Sequence, residues 1–146
     1  MIDPYNDEYF MRQALREAEK AYALGEVPVG AVIVVQQQII ARAHNLTEQL
    51  TDVTAHAEMQ AITAAANFLG GKYLKGCTLY VTLEPCTMCA GALYWSQIDK
   101  IVYGASDEKR GASRHTEIYH PKTKLVSGVL AAESTELIAR FFQGRR

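Results

Sequence analysis

Residues 77–106, CTLYVTLEPCTMCAGALYWSQIDKIVYGAS, hold a strand, a helix and a second strand in thirty positions. CTLYVTLEP is a β-branched and aromatic run of strand length, TMCAGALYWSQI has helical composition, and KIVYGAS returns to a strand. The alternation extends in both directions. From Asp7 to Leu24, Phe10, Met11, Ala14, Leu15, Ala18 and Tyr22 recur at helical spacing, with Asp7 and Glu8 in the first turn and Gly25 at the end. VGAVIVV (29–35) is a continuous apolar run that suits a strand buried on both faces, and QIIARAHN (38–45) is its partner. Thr54 is placed to cap a helix through AHAEMQAITAAANFLG, stopped by Gly70-Gly71. A polar loop from Asp107 to about Lys124 leads to a fifth strand, LVSGVL, and a final helix, STELIARFFQ. Leu137, Ile138, Phe141 and Phe142 share one side of that helix. Uninterrupted alternation predicts an α/β domain with helices on both faces of one sheet.

The chain has 146 residues, 49% hydrophobic and 21% charged, a globular composition that suits one domain over 1–146. No apolar run approaches the ~18–20 residues of a membrane span, and MIDPYNDEYF lacks the basic and apolar regions of a secretory signal. Three cysteines, two of them three positions apart, argue for a reducing compartment and for metal or redox chemistry. The expectation is a cytoplasmic enzyme. A net charge of −1 and a pI near 6.4 exclude a broad basic surface, so any nucleic-acid contact must be local. The candidates are Lys109-Arg110, Arg114 with His115, Lys122 with Lys124, and Arg145-Arg146.

Cys86 and Cys89 lie where the strand gives way to the helix. A helix N-terminus favours thiolate over thiol. A C-x-x-C there is either a redox pair or half of a zinc site. The redox alternative leaves His56 and Glu58 unexplained, whereas zinc takes His56 as a third ligand. Cys77 cannot be the fourth, because nine strand positions span up to roughly 25–30 Å. His44, His115 and His120 remain open on spacing alone, but three ligands and an open position suit catalysis better. Glu58, two positions from His56, is badly placed as a ligand and well placed to shuttle protons for an activated water.

HAE at 56–58 and PCTMC at 85–89 match the H-x-E…P-C-x-x-C signature of the zinc-dependent cytidine deaminase superfamily. Within it the chain resembles the bacterial tRNA-specific adenosine deaminases through EVPVGAV (26–32), HN (44–45), TAHAE (54–58), LYVTLEPCTMCAGAL (79–93) and IVYGASDEKRGA (101–112). The resemblance implies a three-layer α/β/α fold around a five-stranded mixed sheet, a homodimer, and one zinc ion per chain held by His56, Cys86 and Cys89. It implies deamination of adenosine to inosine at the wobble position of an arginine tRNA anticodon, with Glu58 moving the protons. It also implies base contacts from Asn45 and from the backbone at Ala57 and Glu84, with Asp107 near the ribose and phosphates.

Two features depart from that pattern. The loop SRHTEIYHPKTKL (113–125) is short and lacks an Asn-His pair, and Tyr94-Trp95 follows the cysteine motif as in guanine deaminases of the same superfamily. The alternative expectation is therefore a deaminase of a free base or nucleoside such as guanine or cytosine. A non-catalytic zinc or redox module is the third, and Glu58 argues against it. Aromatics on a helix after a metal site are ordinarily core.

Overall fold

The computed structural model describes residues 4–144. Helix α1 runs Asp7–Ala23, capped by Asn6, whose side chain accepts a hydrogen bond from the Tyr9 N–H at 2.9 Å. Strands β1 (Gly30–Val35) and β2 (Gln38–His44) form a hairpin. Its two turn residues, Gln36 and Gln37, have φ of 50° and 65°, the handedness that matches strand twist. Helix α2 is Ala57–Leu69, β3 is Cys77–Leu83, α3 is Thr87–Ser96 and β4 is Lys100–Ala105. A short 3-10 turn at Ala112–Arg114 precedes β5 (Lys124–Val126) and α4 (Ala131–Gln143).

The sheet order is β2-β1-β3-β4-β5. β1 is antiparallel to both neighbours, while β3, β4 and β5 run parallel, so the sheet is mixed. Alternation along the strands sorts the side chains. Ala31, Ile33, Leu79, Val81, Ile101 and Tyr103 meet Ala57, Ala61 and Ala65 of α2 and Leu93 of α3. Val32, Val34, Tyr80 and Val102 meet Phe10, Met11 and Ala14 of α1, with α4 beside α1 on that face. This is the expected three-layer α/β/α arrangement. It explains why β1 reads as unbroken apolar sequence: both of its faces are covered. At Gly30 the approach of α1 is so close that a Cβ would lie 2.1 Å from the Ala14 carbonyl oxygen.

Four local expectations are corrected. Thr54 does not cap α2, because its N–H and hydroxyl both donate to Asp52 Oδ1 at 2.8 and 2.7 Å, and His56 occupies the cap position. The fifth strand is only Lys124–Val126, since Gly128 and Leu130 adopt φ of 86° and 53° and turn the chain into α4. On α4, Leu137 and Phe141 are buried but Phe142 is 55% exposed. Trp95 is not core: it is 76% exposed, and α3 turns Cys89, Ala90, Leu93 and Ser96 inward instead. Arg145-Arg146 lies outside the described residues. No helix among the described residues is long and apolar enough to cross a membrane.

Candidate metal centre

Two helix starts converge beside the end of β3. His56 is the cap residue of α2 and Cys86 that of α3, and neither uses its side chain to cap. Both side chains are thus free for another partner, and Cys89 joins them from the first turn of α3. His56 Nδ1 lies 3.7 Å from Cys86 Sγ and 3.6 Å from Cys89 Sγ, and the three donor atoms fall within 4.8 Å of one another. Tetrahedral zinc, with bonds of about 2.3 Å to sulfur and 2.0–2.1 Å to nitrogen, separates such donors by about 3.5 Å. The donor set and its spacing fit one zinc ion. Cys77, at the far end of β3, is buried and takes no part.

The electrostatics are those of a ligand set. Hydrogen bonding from Cys89, then from His56, pulls the Cys86 thiol down to about 4 against the cost of burial. The hydrogen bond with Cys86 raises His56. Cys89, fully buried, is pushed up by its bond with Cys86 and by desolvation. Glu58 is 4% exposed, and burial raises its carboxyl to about 7. A carboxyl poised there gains and loses a proton readily near neutral pH.

The other expected site residues surround the same opening. Asn45 is buried at the end of β2, and its Oδ1 accepts the Ala57 N–H at 2.9 Å. That bond fixes the orientation of the Asn45 amide. Glu84 is buried too, and its carboxylate accepts the Asp107 N–H at 2.9 Å and the Ser113 N–H at 2.7 Å. Asp107 Oδ1 in turn accepts from the Lys109 and Arg110 N–H groups at 3.1 and 3.0 Å. Glu84 and Asp107 therefore build the loop that carries Lys109 and Arg110. Gly111 is required there, since a Cβ would sit 2.4 Å from both Glu84 Oε1 and the Asp107 carbonyl oxygen.

The cleft above these groups measures about 780 Å³. His56, Glu58, Cys86 and Asn45 line it, Lys109 and Arg110 form one rim, and Ile138 and Phe142 of α4 form another. The sequence pattern placed these α4 residues on one side of the helix and gave no sign of their place in the cleft. It also missed Glu26, which is 1% exposed and accepts from Thr47, Glu48 and Gln49, fixing the loop after Asn45. A carboxylate before Pro28 carries no periodicity signal that would have revealed it. His44, His115, His120 and Trp95 do not line the cleft.

Comparison with known proteins agrees with this geometry. Residues 4–105 match the cytidine and deoxycytidylate deaminase zinc-binding region. The tRNA-specific adenosine deaminase of Bacillus subtilis is 47% identical over 146 residues, covering 96% of this chain and 91% of its own. A solved structure from a study of A-to-I editing by tRNA:A34 deaminases superposes with a TM-score of 0.83 at 44% identity, over 88% of this chain and 98% of the other. Guanine deaminase from Bacillus subtilis gives a TM-score of 0.66 at 41% identity over 69% of this chain and 65% of its own.

Proposed function

The chain belongs to the zinc-binding cytidine and deoxycytidylate deaminase family, and from that premise we propose that it converts adenosine to inosine at the wobble position of a tRNA anticodon, with an arginine tRNA as substrate. The observation that carries the proposal is the meeting of three metal donors and buried Glu58 in one cleft, in a chain 47% identical to a tRNA-specific adenosine deaminase over 96% of its length. The whole chain, 1–146, acts as one deaminase domain.

His56, Cys86 and Cys89 would hold one zinc ion, which supplies a Lewis acid that lets water act as a nucleophile near neutral pH. Glu58 carries one proton of the attacking water to N1 of adenine, then takes the remaining proton from the C6 hydroxyl of the adduct and delivers it to the departing amine, so that C6 keeps the oxygen as a carbonyl and ammonia leaves. Asn45, its oxygen held by Ala57, keeps its amide hydrogens for the base. The backbone at Glu84 borders the base, and Glu84 and Asp107 hold Lys109 and Arg110 at the rim, where the anticodon phosphates pass. Phe68 and Trp95, exposed on α2 and α3, suit a homodimer, and three cysteines outside any disulfide suit the reducing cytoplasm.

The second reading, guanine as substrate, is favoured by the 41% identity to a guanine deaminase. Tyr94-Trp95, the feature that first suggested it, does not line the cleft. Turnover on the zinc-loaded protein separates the two, with an arginine tRNA bearing wobble adenosine in one arm and free guanine, adenine, cytosine and their nucleosides in the other. Inosine in the tRNA alone supports editing, and ammonia from guanine with an untouched tRNA refutes it. Glu58→Ala is expected to abolish turnover while zinc stays near one per chain.

A further inference from the structure

Helix α4 supplies one wall of the cleft through Thr135, Ile138 and Phe142, yet it is thinly attached to the rest of the fold. Along its length Ser134, Leu137 and Phe141 are the buried residues. A groove of about 380 Å³, lined by Arg12 and Arg16 of α1 and by Glu136 and Arg140 of α4, lies between the two helices. No side chain caps the first turn of α4, and Leu130 at the cap position has a left-handed φ of 53°.

The polar anchorage of α4 is concentrated at one end. The Ser134 hydroxyl, 2% exposed, donates to the Thr82 carbonyl at 2.5 Å. The loop before the helix is pinned to β4, where the Gly128 N–H donates to the Gly104 carbonyl at 3.1 Å. Gly104 lets these groups meet: a Cβ there would lie 2.6 Å from the Thr82 carbonyl oxygen and 3.2 Å from that of Val129. Thr82 is itself held, since its hydroxyl accepts the Gly30 N–H at 3.2 Å, and it directly precedes Leu83 and Glu84 of the cleft. The seat of α4 is thus built on the strand that leads to Cys86.

The burial of Leu137 and Phe141 is apolar and non-directional, so it presses α4 against the fold but leaves rotation and slip open. The hydrogen bond at Ser134 is directional and removes that freedom. Ser134, Ile138 and Phe142 are four positions apart in turn and share one stripe of the helix. The phase set at Ser134 is therefore the phase at which the other two meet the cleft. Eight residues of helix make a lever of about 12 Å, so a tilt of about 5° at the Ser134 end moves Phe142 by about 1 Å. We propose that Ser134 is a positioning residue for the substrate: its hydroxyl sets the rotation and tilt of α4, and through them the wall that Ile138 and Phe142 present to the RNA. This rests on the tRNA reading given above. Neither wall residue carries a group that moves a proton, so the wall acts on binding and not on the chemical step.

Ser134→Ala removes the hydroxyl, and Phe142→Ala, at an exposed side chain, removes the wall without opening the core. Steady-state kinetics on the tRNA bearing wobble adenosine read both variants and their combination, in zinc-loaded proteins well below their melting temperatures. Each single variant is expected to raise KM by about tenfold, inside the roughly 10²-fold range of a 1 Å misplacement, with kcat unchanged. The double variant is expected to be no worse than either single one, because Ser134 acts through a wall that Phe142→Ala has already removed. Ser134→Cys, close in volume but a weaker donor, should give a KM between the native protein and Ser134→Ala, and it replaces Ser134→Ala if that variant does not fold. Hydrogen exchange should also quicken across residues 135–143 in the Ser134 variants and stay unchanged in α1. A hydroxyl that served only the fold would lower the active fraction, and hence kcat, at constant KM; that result overturns the proposal. So do KM effects that multiply in the double variant, or a Ser134→Cys protein with the native KM. A native protein that leaves the tRNA untouched refutes the editing reading itself, and with it any role of α4 toward RNA.

Discussion

Glu17 lies 3% exposed on the inner side of α1, with Lys20 Nζ at 2.8 Å, His44 Nδ1 at 3.1 Å and Arg42 at 3.6 Å. Burial opposes its charge, but the hydrogen bonds from Lys20 and His44 win and hold the carboxyl below its ordinary 4.5. His44 directly precedes Asn45, so this cluster ties α1 to the strand end from which Asn45 lines the cleft. A depressed pKa stabilises the fold above the unfolded value, and that contribution disappears as pH falls through the folded one. Glu17→Gln is expected to cost about 1–3 kcal/mol at pH 7, by urea titration of the metal-loaded protein. The penalty should shrink as pH drops below 4.5, where the native carboxyl also becomes neutral. A penalty constant with pH would show that packing and not charge is lost. The metal donors and Glu58 were legible as single residues because the chemistry fixes their types and spacing. Glu17 and Glu26 were not, because a buried carboxylate on a helix face or in a turn is defined only by the distant residues that close over it.

Helix α1 and strands β1 to β4 end within a residue or two of where periodicity puts them. Each is marked by a cap, a glycine or a clean change of period. The misread elements fail for a shared reason: a local competitor outbids the pattern. Asp52 takes Thr54 out of the capping role, and left-handed Gly128 and Leu130 cut short a run of apolar residues that reads as strand. Contact between elements is equally hidden from local sequence, and Gly30 is the sharpest case. Gly30→Ala would drive a methyl into the backbone of α1 at Ala14 and Ala18. It should destabilise the protein by about 3 kcal/mol, the upper end for overpacking, as read by thermal melting. Gly111→Ala is expected to act differently. It displaces the Glu84-supported loop, so kcat/KM for tRNA should fall by about tenfold or more, equivalent to ~1.4 kcal/mol. Zinc content should stay at one per chain, and loss of metal instead would mean that the loop holds the donors rather than the substrate.

At the scale of the whole molecule, a net charge of −1 leaves little attraction for a polyanion except where Lys109 and Arg110 project at the cleft. Two or three phosphate contacts there correspond to about a tenfold loss of tRNA affinity between about 50 and 200 mM salt. Lys109→Ala should flatten that slope by about one contact. The layered architecture was legible because the order of strands and helices permits few arrangements. The cleft was only half legible, since one of its walls comes from α4, the last of the described elements. The metal donors lie on two helices whose relative placement depends on β3 being seated between β1 and β4. His56 and Cys86, thirty positions apart in sequence, meet only after those non-local strand pairings have closed. The ion is thus a late arrival on the folding route. Zinc should leave the main refolding rate nearly unchanged and act on the escape from the native state, slowing unfolding in proportion to the stability it adds.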